Sequence, residues 1–156
     1  RQQWSGLETV CDGILESIGE FEQSGVILAL ENHYPFIYNR RWELFSAPEE
    51  FDHISDEIQS EALGFCLDYG HSRMNQCTGA LLETMAPRLV NTHISDNMGT
   101  DDDHLPFGEG IIEWESVLKK TREVGFTGPF TIEFPVEGHD ESVCDCVEAI
   151  ERLCVE

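Results

Sequence analysis

Four residues that could bind a metal ion each follow a short apolar run in this sequence. They are three carboxylates and one imidazole: Glu31, Asp68, His93 and Glu133. Each run is about one strand long, and a helix-like stretch follows it. In a parallel β/α architecture the carboxyl ends of the strands meet at one rim of the sheet, where such folds build active sites. The pattern therefore predicts a site for one divalent cation with hard ligands.

The chain around these residues alternates between amphipathic helices and near-continuous apolar strands. The predicted helices cover residues 7–21, 46–58, 78–85, 113–124 and 141–154, and the predicted strands cover 26–30, 63–67, 89–92 and 129–132. The second helix opens on an expected capping box between Ser46 and Glu49, with Pro48 in its first turn. This alternation predicts an α/β fold, in which helices cover a parallel sheet, as a single domain over residues 1–156.

Four parallel strands are too few to close a barrel, and an open half would expose two sheet edges. Either the rest of a barrel lies outside this chain, or two copies pair as a homodimer to complete one. The sequence begins at Arg1 without an initiator methionine, so we interpret it as a processed product or a fragment.

The composition is strongly acidic. Asp and Glu number 31 against 9 Lys and Arg, which gives a formal net charge of -22. This charge repels polyanions and counts against nucleic acid as the main partner. An acidic, lysine-poor surface is also typical of a halophilic cytoplasm. Because no apolar run approaches the roughly 20 residues of a transmembrane helix, and no signal peptide is visible, we expect a soluble cytoplasmic protein without a membrane partner.

Several motifs at the predicted strand ends occur in a defined order. They are Leu-Ala-Leu-Glu31-Asn-His33, Asp68-Tyr-Gly-His71, Thr-His93-Ile-Ser-Asp96-Asn97, Asp102-Asp-His104-Leu-Pro-Phe-Gly108-Glu-Gly110 and Thr-Ile-Glu133. Together they resemble the C-terminal half of the xylose isomerase-like TIM barrels. That superfamily includes sugar isomerases and epimerases, inosose dehydratase-like enzymes and endonuclease IV. The resemblance covers about residues 26–134 and implies a half barrel of about four βα units.

The resemblance implies that Glu31, Asp68, His93 and Glu133 hold one divalent metal ion such as Mn, Mg, Co or Zn. It implies isomerisation or epimerisation of a sugar, a sugar phosphate or a polyol-like carbonyl substrate. The expected reaction removes a proton next to the carbonyl and passes through a metal-stabilised ene-diolate. Glu31 and Glu133, on opposite sides of the metal, are the expected acid/base pair. Dehydration of a polyol ketone uses the same first step.

Four further residues are expected to bind the substrate: His71, Asp102, His104 and His33. In related epimerases the equivalent of His71 contacts substrate, whereas in the endonuclease it helps to hold additional zinc. The Asp102-x-His104 pair matches the endonuclease pattern and also occurs in many members that are not nucleases. The alternatives are therefore an endonuclease IV-like zinc phosphodiesterase and a non-catalytic half barrel.

Two features near these residues leave the substrate open. Ketose 3-epimerases tend to carry an arginine near Asp102, and no arginine lies between Arg88 and Arg122, which counts against that activity. The aromatic residues of segment 34–42 form either a sugar-stacking wall or the packing of a long loop. The sequence leaves both interpretations of the aromatic segment in place.

Overall fold

The computed structural model describes residues 2–34, 37–38 and 41–154. In this part of the chain the helices are α1 Gln2–Ser24, α2 Pro48–Glu57, α3 Tyr69–Met74, α4 Thr78–Met85, α5 Trp114–Glu123 and α6 Asp140–Cys154. The strands are β1 Leu28–Glu31, β2 Ile37–Tyr38, β3 Arg41–Trp42, β4 Leu63–Asp68, β5 Leu89–Ile94 and β6 Phe130–Ile132, and a 3-10 helix covers Ala86–Arg88.

Four strands form one parallel sheet in the order β1-β4-β5-β6. This arrangement confirms the predicted α/β fold with helices following parallel strands. The register pairs Glu31 with Cys66 and Asp68 with His93, so the last residues of neighbouring strands lie side by side. Within the described residues β1 and β6 are the outer strands of the sheet.

The helices pack on one face of the sheet and build the core there. Phe51 and Ile54 of α2 are fully buried, as are Phe65 and Leu67 of the central strand β4. The rings of Phe51 and Phe65 meet edge to face, with centroids 5.1 Å apart. Burying each such side chain contributes roughly 1.5–3 kcal/mol. This packing fixes β4, which carries Asp68 at its end.

The longest helix, α1, is amphipathic. Leu7, Cys11 and Ile14 are buried, while Leu15 at the edge of this face is 48% exposed. The helix extends beyond the predicted residues 7–21 at both ends, to Gln2–Ser24. No helix in the described ranges is long and apolar enough to cross a bilayer.

The prediction for α2 was wrong by one residue at the helix cap. Ala47 is the N-cap residue, with φ -125° and ψ 144°, and Pro48 opens the helix. Glu50, rather than the expected Glu49, therefore occupies the third helical position. Its Oε2 accepts hydrogen bonds from the main-chain nitrogens of Ser46 at 2.8 Å and Ala47 at 3.0 Å. The buried Glu50 thus satisfies two main-chain donors that precede the helix.

Several short elements were not predicted. The segment that follows β1, expected as one long loop, contains the antiparallel pair β2–β3. Helix α3 begins directly after Asp68, whose side chain caps it. Phe36 and Arg40 lie outside the described residues, and so do the side chains of Tyr38 and Trp42. The sugar-stacking wall therefore stays a prediction.

Candidate metal centre

Strand pairing brings the four predicted metal ligands together. Glu31 and Asp68 are the last residues of β1 and β4, His93 lies near the end of β5, and Glu133 directly follows β6. The main-chain nitrogen of Glu133 donates to the carbonyl oxygen of Ile94 at 2.9 Å, which holds Glu133 beside β5. One ligand atom from each of the four residues lies within 4.8 Å of all the others.

His93 lies between two carboxylates, while Asp68 lies deeper in the protein. Nδ1 of His93 is 3.2 Å from Oε1 of Glu31 and 3.1 Å from Oε1 of Glu133. Asp68 is fully buried, and its Oδ1 accepts a hydrogen bond of 2.6 Å from the main-chain nitrogen of His71. This bond fixes the carboxylate and leaves its second oxygen directed elsewhere.

Two atoms of this centre fit a bound cation. Among the described residues, Oδ2 of Asp68 and Nδ1 of His93 are buried without a hydrogen bond of acceptable geometry. A buried polar atom without a partner destabilises a protein by about 1–3 kcal/mol. A divalent cation accepts lone pairs from carboxylate oxygens and from imidazole nitrogens. The donor set therefore suits one metal ion held by all four side chains.

The pKa shifts describe the same centre without a metal ion. The neighbouring side chains of Cys66 and Glu31 raise the pKa of His93 to about 10. Burial tends to raise the pKa of Glu31, but the hydrogen bond and charge of His93 lower it. Burial raises the pKa of Asp68 to about 6, although the nearby His71 acts in the opposite direction. A proton on His93 thus supplies positive charge between the carboxylates, where a cation would replace it.

A second group of three residues lies beside the first: His71, Asp102 and His104, with ligand atoms within 4.8 Å of one another. Nε2 of His71 is 3.4 Å from Oδ2 of Asp102, and Nε2 of His104 is 3.3 Å from Oδ1 of Asp102. Nδ1 of His71 faces the carbonyl oxygen of Asn32 at 2.9 Å, and Nδ1 of His104 faces that of Glu133 at 2.6 Å. Because a carbonyl only accepts, each Nδ1 carries hydrogen, and Nε2 is the ring nitrogen that each residue directs towards Asp102.

The loop that carries Asp102 and His104 is fastened by a buried carboxylate. Asp96 accepts hydrogen bonds from the main-chain nitrogen of Ile112 at 3.1 Å and from Nε1 of Trp114 at 2.8 Å. Its main chain also pairs with that of Leu105. These contacts join the start and the end of the loop between β5 and α5.

His104 adopts a backbone conformation that few side chains tolerate. Its φ is +47°, in the left-handed region where histidine, asparagine and aspartate are enriched. The conformation occurs where the His104 ring contacts both the Glu133 carbonyl and Asp102. Strain of this kind concentrates at functional sites.

The fourth predicted substrate-binding residue, His33, also lies at this group. Its ring stacks on Tyr34 with centroids 4.3 Å apart, and it lies 5.0 Å from the ring of His71. Sequence reasoning assigned no role to Asn32 or Asp96, although both occur in the motifs. Each is a buried polar residue within three positions of a proposed strand-end ligand. This closeness in sequence is the feature from which a role could have been predicted.

The family model described as xylose isomerase-like TIM barrel matches residues 2–153. An uncharacterized protein of Methanocaldococcus jannaschii is 30% identical over 158 residues, which cover 96% of this chain and 50% of that protein. The L-ribulose-5-phosphate 3-epimerase UlaE of Salmonella typhi is 23% identical over 166 residues, covering 94% of this chain and 51% of the enzyme. The chain therefore spans about half the length of these two relatives.

Solved structures share the fold. A D-tagatose 3-epimerase-like protein superposes with a TM-score of 0.83 at 28% identity, over 94% of this chain and 55% of that one. The IolI protein with a bound zinc atom gives a TM-score of 0.77 at 21% identity, over 94% of this chain and 57% of that one. D-psicose 3-epimerase in the presence of D-fructose gives 0.79 at 13% identity, over 99% and 58%. At identities of 21% and 13%, the similarity to the last two structures concerns the fold alone.

Proposed function

The chain belongs to the xylose isomerase-like TIM barrel family, and from this premise we propose that it carries the metal centre of a sugar isomerase or epimerase. Relatives and structural neighbours of this family act as sugar epimerases. The proposed substrate is a sugar, sugar phosphate or polyol with a carbonyl group. The proposed cofactor is one divalent cation, either Mn, Mg, Co or Zn.

The convergence of the four strand-end residues carries this proposal. Three carboxylates and one imidazole offer ligand atoms within 4.8 Å of one another. Their negative charge would be unfavourable so close together without a compensating cation. Hard oxygen ligands with one imidazole suit the four proposed metals better than a soft cation such as Cu(I).

A bound cation would supply positive charge where negative charge develops on the substrate carbonyl oxygen. Glu31 and Glu133, from the two outer strands, flank His93 and are 36% and 32% exposed, so a substrate can reach both. One carboxylate accepts the proton from the carbon beside the carbonyl. The electrons of the broken C–H bond form a C=C bond, and the carbonyl π electrons move to the oxygen, which gives an ene-diolate. The other carboxyl group, which holds a proton beforehand, delivers it to the opposite face of the same carbon and so inverts its configuration.

The remaining residues of the site orient hydroxyl groups in this proposal. The Nε2 atoms of His71 and His104 lie on either side of the Asp102 carboxylate, which can accept hydrogen bonds from substrate hydroxyl groups. Together with His33 they form a polar wall beside the metal ligands. Such contacts hold a substrate with the reacting C–H bond near a carboxylate.

Deuterium incorporation tests this function. Ketoses incubated with the Mn²⁺-loaded protein in D₂O are expected to gain one deuterium at the carbon beside the carbonyl. The Glu133→Gln variant should slow this exchange by about 10²–10⁴-fold, because it removes an acid/base group. Glu137→Gln is the matched control, since Glu137 is an exposed carboxylate in the same loop. Product without deuterium, or equal rates in both variants, would contradict the proposal.

A second candidate function rests on the group formed by His71, Asp102 and His104. Two imidazole nitrogens and a carboxylate within 4.8 Å also suit zinc, as an endonuclease IV-like phosphodiesterase would require. Zinc content separates the two functions. Two or more zinc ions per chain, together with hydrolysis of a phosphodiester, would favour this second function over the sugar enzyme.

The proposed barrel requires four further strands beside β1 and β6. They would come from the rest of a longer protein or from a second copy of this chain. The molar mass in solution separates these sources, because a homodimer doubles the mass of the 17.7 kDa chain. A monomer of this mass would leave closure to the longer protein.

A further inference from the structure

Asn32 follows the proposed ligand Glu31 directly and lies where β1 ends. Its side chain is fully buried. The main-chain nitrogen of Asp68 donates to its Oδ1 at 2.7 Å, and its Nδ2 donates to the carbonyl oxygen of Asp68 at 3.1 Å. These two bonds define the orientation of the amide, because the Asp68 nitrogen can only donate and its carbonyl can only accept.

The amide of Asn32 therefore continues the pairing of β1 with β4 beyond the last residue of β1. Strand pairing itself ends at Glu31 and Cys66, two residues before Asp68 on β4. The side chain reaches the main chain of Asp68 and so fixes the distance between the two strand ends. Those ends carry two of the proposed metal ligands.

The main chain of Asn32 makes a third connection. Its carbonyl oxygen accepts the Nδ1–H of His71 at 2.9 Å, which directs Nε2 of that ring towards Asp102. The same residue thus touches both groups of potential ligand atoms. None of its side-chain atoms is needed as a ligand, since both polar atoms are satisfied by Asp68.

We infer that Asn32 is a positioning residue, which holds Glu31, Asp68 and His71 at the spacing that binds the metal ion. This role rests on the proposed metal centre. Groups that orient metal ligands typically change metal affinity by about 10–100-fold when they are removed. Two buried hydrogen bonds between the Asn32 side chain and the main chain of Asp68 stabilise this spacing, and neither involves a side-chain atom of a proposed ligand.

The test is titration of the metal-free protein with Mn²⁺, followed by calorimetry. Asn32→Ala removes both side-chain bonds and should raise the Kd by about 10–100-fold. Asn32→Asp has nearly the same shape but cannot donate to the Asp68 carbonyl, so it should also raise the Kd. If Asn32→Ala does not fold, the Kd of Asn32→Asp for Mn²⁺ tests the positioning role.

Thr121→Val is the control for a general loss of stability. Thr121 is fully buried on α5 and shares a hydrogen bond of 2.7 Å with the hydroxyl of Tyr69 on the helix-covered side of the sheet. It should lower the melting temperature yet leave the Kd for Mn²⁺ within about twofold. A Kd that rises equally in Thr121→Val would overturn the positioning role.

Amide hydrogen exchange supplies a readout that is independent of the metal. The amide of Asp68 should exchange faster in Asn32→Ala, which lacks its acceptor, and stay protected in Asn32→Asp, which keeps an acceptor oxygen. Unchanged Mn²⁺ affinity in both Asn32 variants would overturn the positioning role alone. Absence of Mn²⁺ binding by the unmodified protein would overturn the metal centre and this role together.

Discussion

The amino ends and the carboxyl ends of the sheet strands differ in how their buried polar groups are satisfied. At the amino ends, Arg88 donates hydrogen bonds to the carbonyl oxygens of Ser60 at 2.7 Å, Ile58 at 3.0 Å and Leu63 at 3.3 Å. At the carboxyl ends, Asp68 and His93 each keep a buried atom without a hydrogen bond among the described residues. At the amino ends a side chain of the protein thus satisfies these carbonyl oxygens, whereas the unpaired atoms at the carboxyl ends suit a ligand.

We infer from this difference that the amino ends of the strands stabilise the fold, whereas the carboxyl ends carry the proposed metal centre. In β/α folds the catalytic groups belong to the carboxyl ends, and the amino ends support the fold. The residue before the start of β5, Arg88, joins the connections around the sheet. The residue near its end, His93, is held between two carboxylates. Variants at the two ends should therefore separate metal affinity from stability.

The largest effect is expected for Asp68→Asn. Asparagine keeps the oxygen that caps α3 but loses the charge that a cation needs, so the Mn²⁺ affinity should fall by about 100-fold or more. Above pH 6 the metal-free variant should be more stable than the unmodified protein by roughly 1–3 kcal/mol. The reason is that burial raises the folded-state pKa of Asp68 to about 6. The unmodified protein therefore loses stability as the pH rises through that value, because its buried carboxyl group becomes charged.

Titration calorimetry and denaturant unfolding of the metal-free protein check both parts of this prediction. Asp56→Asn, at an exposed position near the end of α2, is the control and should change neither quantity. A variant that binds Mn²⁺ as well as the unmodified protein would remove Asp68 from the proposed ligands. A variant with unchanged Mn²⁺ affinity and lower stability would show that Asp68 stabilises the fold, as Arg88 does at the amino ends, and does not bind the cation.

The convergence of the four strand-end side chains could be predicted from sequence because its signal is local. Each lies at the end of an apolar run, and parallel pairing then brings Asp68 and His93 side by side. The contacts of Arg88 could not be predicted, since its acceptors lie 25 to 30 residues away and are main-chain oxygens. The same limit applies to Asn32, whose partner Asp68 is 36 residues away.

Two helix starts were not predicted correctly. The N-cap residue of α2 is Ala47, and Glu50 takes the position expected for Glu49, because Pro48 starts the helix one position later than the motif suggested. Helix α3 has a sequence with Gly70 near its start, which has low helix propensity. It forms because Asp68 caps it and because Tyr69 and Ser72 are buried.

A smaller effect, about tenfold per pH unit, is expected for Mn²⁺ affinity between pH 6 and 8. The neighbouring side chains of Cys66 and Glu31 raise the pKa of His93 to about 10, so His93 carries a proton in the metal-free site in this pH range. Binding must release it, and affinity therefore rises with pH. Calorimetry in two buffers with different ionisation enthalpies should report about one proton released per cation. A Mn²⁺ affinity that does not change with pH would show that the cation does not displace a proton from His93.

The smallest effect on metal binding, and a clear one on stability, is expected for Arg88→Met. Loss of the three hydrogen bonds should lower the free energy of unfolding by about 2–4 kcal/mol. The melting temperature should fall by several degrees, with the Mn²⁺ affinity within about twofold of the original. Arg152→Met, at an exposed arginine of α6, is the matched control and should leave the melting temperature within about one degree. A large loss of metal affinity in Arg88→Met would show that the two ends are coupled.

The most direct test of the proposed metal centre is the metal content, measured by elemental analysis of protein purified without chelator. We expect about one Mn, Mg, Co or Zn per chain, and loss of that ion in Glu31→Gln. Glu43→Gln, at an exposed glutamate outside the proposed site, should keep the ion. A folded unmodified protein that holds no divalent cation, even after incubation with Mn²⁺ or Zn²⁺, would rule out the proposed metal centre.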